Sequence, residues 1–455
     1  MATALSFPRL RRILTAYTAN RLGSWIGLVA LSLAVYDHTH SALAVAALLF
    51  AWQALPAFLV PAVVARVEAS ARRHELSALY FFEALVTVAI AALLSRFSLP
   101  ALLVLAALDG TAALAASSLL RAEVARAGRQ SVERAALAHE DGATEDVQAA
   151  ERAANAALNV AFSAAFVGGP VLGGALTAAF GAPTALLIDV GSFAICGALL
   201  LDLHPHVDEA GGSSVRARLR AAWRHVNDAP SLRALLLTEA VALLFVQTAG
   251  PIEVTYAKST LHAGDRGYGL LVTAWGAGAV LGSAVFARAA RRSLGVLISA
   301  GTLALGVAFV GYALAPTLAL ACLAAGVGGI GNTLEWPALI SLVQRMTPHA
   351  LHARLMGAVE SLSALCVAAG LMLGGALVAL TSPRVAFLIV GVGAAVASAA
   401  FVRLTVRGLH SLPPEAPVDD AAALCEESDS ASREPVPPDR GLAQSPPAQG
   451  ETTIA

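Results

Sequence analysis

Long apolar stretches separated by short polar breaks run along most of the chain. A helix of about 20 apolar residues crosses the hydrocarbon core of a bilayer, and windows of that length fit the pattern twelve times. The predicted spans are residues 14–36, 41–65, 76–95, 98–120, 154–180, 182–202, 232–257, 268–287, 294–316, 317–342, 355–380 and 383–405. The pattern therefore predicts an all-α, polytopic membrane protein with twelve transmembrane helices.

Composition supports a chain surrounded by a lipid bilayer. The 455 residues are 57% hydrophobic and 13% charged, and soluble domains contain about 25% charged residues. So few charges leave apolar surface that must face lipid. The formal net charge of -1 provides no overall basic field, so we expect no binding of nucleic acid.

Basic residues predict the orientation of the spans. Cytoplasmic loops of membrane proteins carry an excess of Lys and Arg. With twelve spans, 23 of the 30 Lys and Arg residues fall on one side and four on the other. We therefore predict a multi-pass protein of the plasma (inner) membrane with both termini in the cytoplasm.

Three polar segments divide the chain. The sequence predicts a first six-helix bundle over residues 1–203, which includes a cytoplasmic segment at about 121–153 that contains a surface helix. A cytoplasmic central loop follows at 204–231, and a second six-helix bundle spans 232–407. Residues 408–455 are rich in Pro, Ser and acidic residues, a composition typical of disorder.

An internal repeat relates the two halves. Residues Gly169–Leu176 recur 201 positions later as Gly370–Leu377, with six of eight residues identical. Ala62–Arg66 recurs at an offset of 222 as Ala284–Arg288. Both matches pair a span with the one six spans later, in the same orientation. This pattern predicts two pseudo-symmetric six-helix bundles around a central cavity.

The first copy of the repeat carries a recognisable motif. Gly169-Pro170-x-x-Gly173-Gly174 resembles the G-P-x-x-G-G motif of antiporters in the major facilitator superfamily, and the resemblance covers about residues 10–407. Glycines four apart permit close helix contact, and the proline bends the span. The resemblance implies an exporter with this fold, and it gives the motif glycines, with Gly370 and Gly374 of the second copy, a role in gating and helix packing.

Other stretches extend the resemblance. The loop after span 2 contains an acidic residue and a basic pair similar to the D-R-x-D-R-R motif of the superfamily, which implies a gating role for Glu68, Arg72 and Arg73. Tyr256–Lys258 and Gly267–Leu271 are similar to the macrolide-efflux and enterobactin-exporter branch. Span 4 departs from proton antiporters, because Ala106 stands where they place an Arg.

Ionisable residues inside spans are costly, so each is a functional hypothesis. Spans 1, 4, 7 and 10 line the cavity in the resembled fold, and they carry Arg21, Asp109, Glu239 and Glu335. Neutral polar residues on the same spans could add hydrogen bonds, namely Asn20, Gln247 and Asn332. Glu83 and Asp189, on spans 3 and 6, are expected to brace helices. Glu253 and Glu360, near span ends, either serve the site or reach the interface.

Asp109 is the predicted principal site for a coupling proton or a cationic substrate, with Arg21 as its partner. Asp109 lies near the midplane, so its protonation should depend on whether water or Arg21 is close. Two alternatives stay open. Glu239 or Glu335 could take this role, and Arg21 and Asp109 could form a permanent bridge between helices.

Motifs of membrane enzymes and ATPases are missing from the sequence. It contains no H-E-x-x-H, no G-x-S-x-G and no G-x-x-x-x-G-K-[ST], and Lys258 is the only lysine. We predict no enzyme activity, cofactor or metal. The predicted function is export of an amphipathic small molecule (a drug, antibiotic or siderophore-like metabolite) by a monomeric, proton-coupled transporter. A lipid flippase or a non-transporting sensor is the alternative.

Overall fold

The structure is a computed structural model, and it describes residues 8–57, 59, 75–136, 143–201, 230–289, 292–346 and 352–408. These residues form helices joined by short turns, with no strand among them. The predicted all-α fold class is therefore confirmed. Most of the predicted central loop and nearly all of the predicted tail lie outside the described residues.

Helical segments in the described part of the chain are numbered α1 to α12. Their bounds are α1 Pro8–Thr39, α2 Ala42–Leu49, α3 Glu75–Leu93, α4 Leu99–Ala136, α5 Ala143–Phe180, α6 Ala182–Leu199, α7 Pro230–Gln247, α8 Gly264–Arg288, α9 Leu294–Leu314, α10 Leu318–Arg345, α11 His352–Leu380 and α12 Pro383–Gly408. Helix α2 continues through a π-helical turn at Phe50–Ala54. Helix α7 continues through Ala249–Thr255 and a π-helical turn at Tyr256–Thr260.

Nine helices among the described residues are long and apolar enough to cross a membrane. The apolar parts described for α2 and α12 are shorter, and α1 is not among the nine, so the count of twelve spans stays a prediction. Large apolar side chains point outward, including Leu85, Leu323 and Leu380, which are 67%, 68% and 83% exposed. Such surface is stable against lipid tails and unfavourable in water. The fold is that of a multi-pass membrane protein.

Most helix ends fall close to the predicted breaks. One such break is at Gly181, between α5 and α6, where the φ of 81° is a left-handed conformation that glycine adopts without a clash. The cytoplasmic segment predicted at 121–153 is largely helical and continuous with the spans, because α4 runs to Ala136 and α5 starts at Ala143. Its Ala, Glu and Arg residues favour helix, and extending an existing helix costs little.

The glycine motif of α5 packs against α1. A Cβ atom built on Gly169 would lie 2.5 Å from Cβ of Trp25, and one on Gly173 would lie 3.0 Å from Cβ of Val29. Real Cβ atoms do not approach so closely without a shift of their neighbours. These glycines therefore bring the backbones of α1 and α5 together, as the sequence motif predicts.

The second copy of the motif packs in the equivalent way. A Cβ on Gly370 of α11 would lie 2.6 Å from the carbonyl oxygen of Leu244 on α7, and one on Gly374 would lie 2.3 Å from that of Thr248. Helix α7 is six spans after α1, as α11 is six spans after α5. The sequence repeat thus corresponds to a repeated helix contact.

The last glycine of each copy faces the opposite half. A Cβ on Gly174 of α5 would lie 2.6 Å from the carbonyl oxygen of Asp265 on α8, and one on Gly375 of α11 would lie 2.6 Å from Cβ of Ala46 on α2. Helices α2 and α8 are themselves repeat partners. The α5–α8 and α2–α11 crossings are therefore equivalent, which confirms the pseudo-symmetric fold class. The exact domain bounds remain predictions.

Candidate functional site

Asp109 is buried in α4, where α2 and α3 supply its hydrogen-bond donors. The indole Nε1 of Trp52 donates to Oδ2 at 2.9 Å, and the hydroxyl of Thr87 donates to Oδ1 at 3.2 Å. Trp52 lies in the π-helical turn of α2. Gly110 lets that turn approach, because a Cβ there would lie 2.1 Å from the Trp52 carbonyl oxygen. Two neutral donors therefore hold this carboxyl group.

Arg21 lies on α1, and its contacts differ from those predicted. Its guanidinium donates to Oγ of Ser117 on α4 and lies over the ring of Tyr17, 5.4 Å from the ring centroid. Its Nε is buried without a hydrogen-bond partner. Ser117 is about two helical turns from Asp109. The predicted pair between Arg21 and Asp109 is therefore not formed in this conformation.

Glu239 on α7 and Glu335 on α10 meet in the second half. Their carboxyl groups lie close enough to interact, and the Thr302 hydroxyl on α9 donates to Oε1 of Glu335 at 2.7 Å. Gly301 makes room for the pair, because a Cβ there would lie 2.8 Å from Cβ of Glu335. Two neighbouring carboxyl groups can share a hydrogen bond when one of them carries a proton. The pair can therefore hold and release a proton.

The neutral residues predicted for the cavity lie near these groups along the chain. Asn20 is buried on α1, and Asn332 is partly buried one turn before the α10 carboxyl group. Gln247 ends α7 and packs against α11, where a Cβ on Gly370 would lie 2.8 Å from its own Cβ. The predicted gating residues of the loop after span 2 lie outside the described residues: Glu68, Arg72 and Arg73.

Two carboxyl groups that the sequence analysis assigned to bracing lie close to Asp109. Glu83 on α3 is fully buried, and neither of its carboxyl oxygens has a hydrogen-bond partner. Asp189 on α6 is buried and accepts a hydrogen bond from Ser192 at 3.1 Å. Glu83 lies one helical turn before Thr87, which donates to Asp109, and Asp189 lines the same small cavity as Asp109, so the three charges can interact. The sequence shows that these carboxyl groups lie in apolar spans. It does not show that they lie close to one another.

Lys258 links the two halves at the predicted outer side. Its Nζ contacts the Asp37 carboxylate at the end of α1 and lies 2.6 Å from Oδ1 of Asp265 at the start of α8. Helix α1 belongs to the first half, and both Lys258 and α8 belong to the second. Sequence reasoning missed this contact, because nothing in the sequence relates two residues that lie 221 positions apart.

An apolar groove of about 960 Å³ lies between α2, α3 and α4. Phe50, Phe82 and Val104 are among the residues that line it, and Met372 of α11 contributes from the other half. Phe82 and Val104 are exposed. In a membrane-spanning chain, this groove faces the lipid.

Sequence comparison identifies proteins that resemble this chain. Residues 235–445 match the family model of the Major Facilitator Superfamily. An uncharacterized MFS-type transporter of Bacillus subtilis (strain 168), YfiS, is 28% identical over 239 residues, which are 49% of this chain and 56% of that relative. These matches support a transporter of the major facilitator type. The chain thus matches little more than half the length of this curated relative.

Solved structures of other transporters share the fold over most of the chain. The nucleoside transporter NupG has a TM-score of 0.67 at 12% identity, covering 88% of this chain and 99% of its own. A bacterial homologue of the iron transporter ferroportin, in an inward-facing state, has a TM-score of 0.64 at 18% identity, covering 87% and 98%. At such identities the likeness shows the fold alone. The matching family and these neighbours are transporters rather than enzymes.

Proposed function

We propose that the chain is a proton-coupled secondary transporter that exports an amphipathic small molecule by alternating access. The family match and the shared fold support transport. Export is supported by the resemblance of Gly169–Gly174 to the antiporter motif and of Tyr256–Lys258 to the macrolide-efflux branch. The distribution of basic residues supports a plasma-membrane location with cytoplasmic termini.

Contacts between the halves support a conformation that is closed on the predicted outer side. Lys258 bridges Asp37 and Asp265 there, and the backbones of α5 and α8 touch at Gly174. These contacts are small and separable, as alternation between two states requires. A substrate would then enter from the cytoplasmic side and leave when these contacts break.

Buried carboxyl groups in both halves are the observation on which proton coupling rests. Asp109 lies in the first half with neutral donors only, and the carboxyl groups of Glu239 and Glu335 lie close together in the second. Carboxyl groups at such depth are stable when protonated and can ionise only when water or a cation reaches them. We assign Asp109 as the principal coupling site, with Arg21 as the cation that reaches it in another conformation.

Transport by the purified chain in liposomes tests this function. With tetraphenylphosphonium as the probe, an acid-inside pH gradient should drive the cation into the vesicles, and a pH-sensitive dye should report the protons that leave. Asp109→Asn should abolish both signals while the variant remains folded. Gradient-driven uptake that is unchanged in Asp109→Asn would refute the assignment.

A lipid flippase is the second candidate, because the apolar groove faces the bilayer and joins α2, α3 and α4. Such a groove suits an acyl chain better than a compact cation. The same liposomes, prepared with a fluorescently labelled phosphatidylcholine, separate the two functions. Protein-dependent transfer of the labelled lipid between leaflets, without uptake of tetraphenylphosphonium, would favour the flippase.

A further inference from the structure

We propose that Glu83, Asp109 and Asp189 form one proton-binding cluster in the first half, which holds two protons while the outer side is closed. The role of this cluster in transport rests on the proposed function. Proton binding itself does not, and it can be measured without any substrate.

The cluster lacks the hydrogen-bond donors that three carboxylates would need. Glu83, Asp189 and Asp109 are 0%, 4% and 9% exposed. Asp109 accepts two hydrogen bonds and Asp189 one, but neither oxygen of Glu83 has a partner. A buried carboxylate without donors is strongly unfavourable. The absence of hydrogen-bond partners for both carboxyl oxygens of Glu83 therefore indicates that this group is protonated.

A small cavity connects two of the three groups. Asp109 and Asp189 both line a cavity of about 20 Å³, together with Thr87 and Ser24. This volume holds about one water molecule, and the site offers several polar partners. One water between two carboxyl groups permits a proton to pass from one to the other. The cavity thus allows Asp109 and Asp189 to share a proton.

The charges that face the cluster set the number of protons. The one cation whose charge acts on Glu83, among the described residues, is Arg21 on α1. Tyr80 and Cys196 are its other titratable neighbours. Three carboxylates and one guanidinium would leave two uncompensated negative charges in the interior, and two protons remove them. The buried Nε of Arg21 has no hydrogen-bond partner and remains available when a proton leaves.

Two glycines on α1, Gly23 and Gly27, leave space for the Asp189 carboxylate. A Cβ on Gly27 would lie 2.3 Å from Oδ2 of Asp189, and one on Gly23 would lie 2.5 Å from Oδ1 and 2.1 Å from Oγ of Ser192. Any side chain at these two positions would displace the carboxylate. The α1 helix also carries Arg21, so its position controls both the space and the charge around the cluster.

Infrared spectroscopy of the full chain in phosphatidylcholine vesicles tests the cluster directly. The C=O stretch of protonated carboxyl groups is recorded while the pH is varied across neutrality. Glu83→Gln and Asp189→Asn should each remove part of this signal at neutral pH. Each should also move the titration midpoint of the remaining signal by about one pH unit or more, because the groups titrate together.

Glu253→Gln is the matched control. Glu253 is also a buried carboxyl group, but it lies in the second half and accepts a hydrogen bond from Tyr312 at 2.9 Å. Glu253→Gln should remove the C=O signal of Glu253 and leave the titration midpoint of the cluster signal unchanged. If a cluster variant does not fold, Gly27→Ala perturbs Asp189 without removing an acid, and Gly191→Ala, with no atom within 4 Å of its new Cβ, is its control.

The outcomes separate this inference from the proposed function. Coupled titration without tetraphenylphosphonium uptake by the wild type would support the cluster and contradict the transport proposal. Gradient-driven uptake together with midpoints that neither Glu83→Gln nor Asp189→Asn moves would overturn the cluster. Coupled titration together with loss of proton release in both variants supports both proposals.

Discussion

Asp109 and Glu83 show how the surroundings of a carboxyl group differ inside one half of the molecule. Trp52 and Thr87 donate hydrogen bonds to the first, whereas the second has no hydrogen-bond partner. Neutral donors stabilise an ionised carboxylate more than a protonated acid. The two residues are therefore expected to respond differently when their neighbours are changed.

Trp52→Phe tests the hydrogen bond to Asp109. A smaller aromatic ring remains and the Nε1 donor is lost, so loss of the hydrogen bond should lower the free energy of unfolding by about 1.5–3 kcal/mol if the carboxylate is charged and by about 1 kcal/mol if it is neutral. Denaturant unfolding in detergent measures the difference. Thr87→Val should lower the free energy of unfolding by less than Trp52→Phe, because the hydrogen bond of Thr87 is longer, at 3.2 Å against 2.9 Å. Equal stability of Trp52→Phe and the wild type would contradict the contact.

Glu239 and Glu335 should act as a unit. Glu239→Gln or Glu335→Gln removes one carboxyl group of the pair, and we expect a loss of gradient-driven uptake of about 5- to 150-fold. The double variant should be no worse than either single one, because both disrupt the same interaction. Counter-exchange of labelled for unlabelled probe, which needs no net proton movement, is the control and should persist. Additive losses would show that the two groups act separately.

At the scale of helices, the two halves are joined by crossings that only glycine allows. Gly174 meets the backbone of α8, whereas Gly169 and Gly173 meet α1 within their own half. The sequence motif gave all these glycines one role in gating. The structure separates them, because of these three only Gly174 touches a helix of the other half, as Gly375 does in the second copy.

Gly174→Leu should therefore disfavour the conformation that is closed outside. Its Cβ would lie 2.6 Å from the Asp265 carbonyl oxygen, and overpacking costs about 1–3 kcal/mol, which shifts a two-state equilibrium roughly 5- to 150-fold. Labelling of a cysteine introduced on the outer part of α8 should become faster. Gly191→Leu, which has open space around it, should leave the rate unchanged.

The ion pairs of Lys258 should also stabilise the conformation that is closed outside, but by less than the packing at Gly174 does. The side chains of Lys258, Asp37 and Asp265 are 16%, 47% and 18% exposed. Partly exposed pairs contribute up to about 1 kcal/mol, or roughly fivefold in an equilibrium. Asp37→Asn and Asp265→Asn should speed reaction of Lys258 with a membrane-impermeant amine reagent up to about fivefold, with the larger effect for the less exposed Asp265.

Lys258 is well suited to this measurement, because it is the only lysine in the chain. Mass spectrometry of the labelled peptide reports its rate. Lys258→Arg should abolish the label. An Asp265→Asn rate equal to that of the wild type would show that the pair does not restrain Lys258.

At the scale of the whole molecule, topology is the prediction that orients every other feature. In a cysteine-free background, His38→Cys and Arg266→Cys should react with an impermeant thiol reagent in intact cells, and Gly212→Cys should react only after the cells are opened. Both outer sites are exposed in the structure. Protection of both in intact cells would contradict the orientation predicted from the 23-to-4 asymmetry of basic residues.

The sequence by itself determined the membrane-spanning class, most helix positions and the relation between the two halves. Apolar length and the Gly169–Leu176 repeat are properties of local sequence. Inside a bilayer, a single apolar segment can satisfy its backbone hydrogen bonds only as a helix. The repeat even predicted that α11 would pack as α5 does. The end of α4 and the start of α5 were missed, because hydropathy marks where a helix leaves the membrane and not where it ends.

Only the tertiary structure decided which polar groups meet. Arg21 and Asp109 are both at a suitable depth, yet Arg21 contacts Ser117 and Asp109 accepts from Trp52. Glu83 changed from a bracing residue to a neighbour of two other acids in the same way. Depth along a helix can be counted from the sequence, but the rotation of each helix and its choice of neighbour depend on how all the helices pack together.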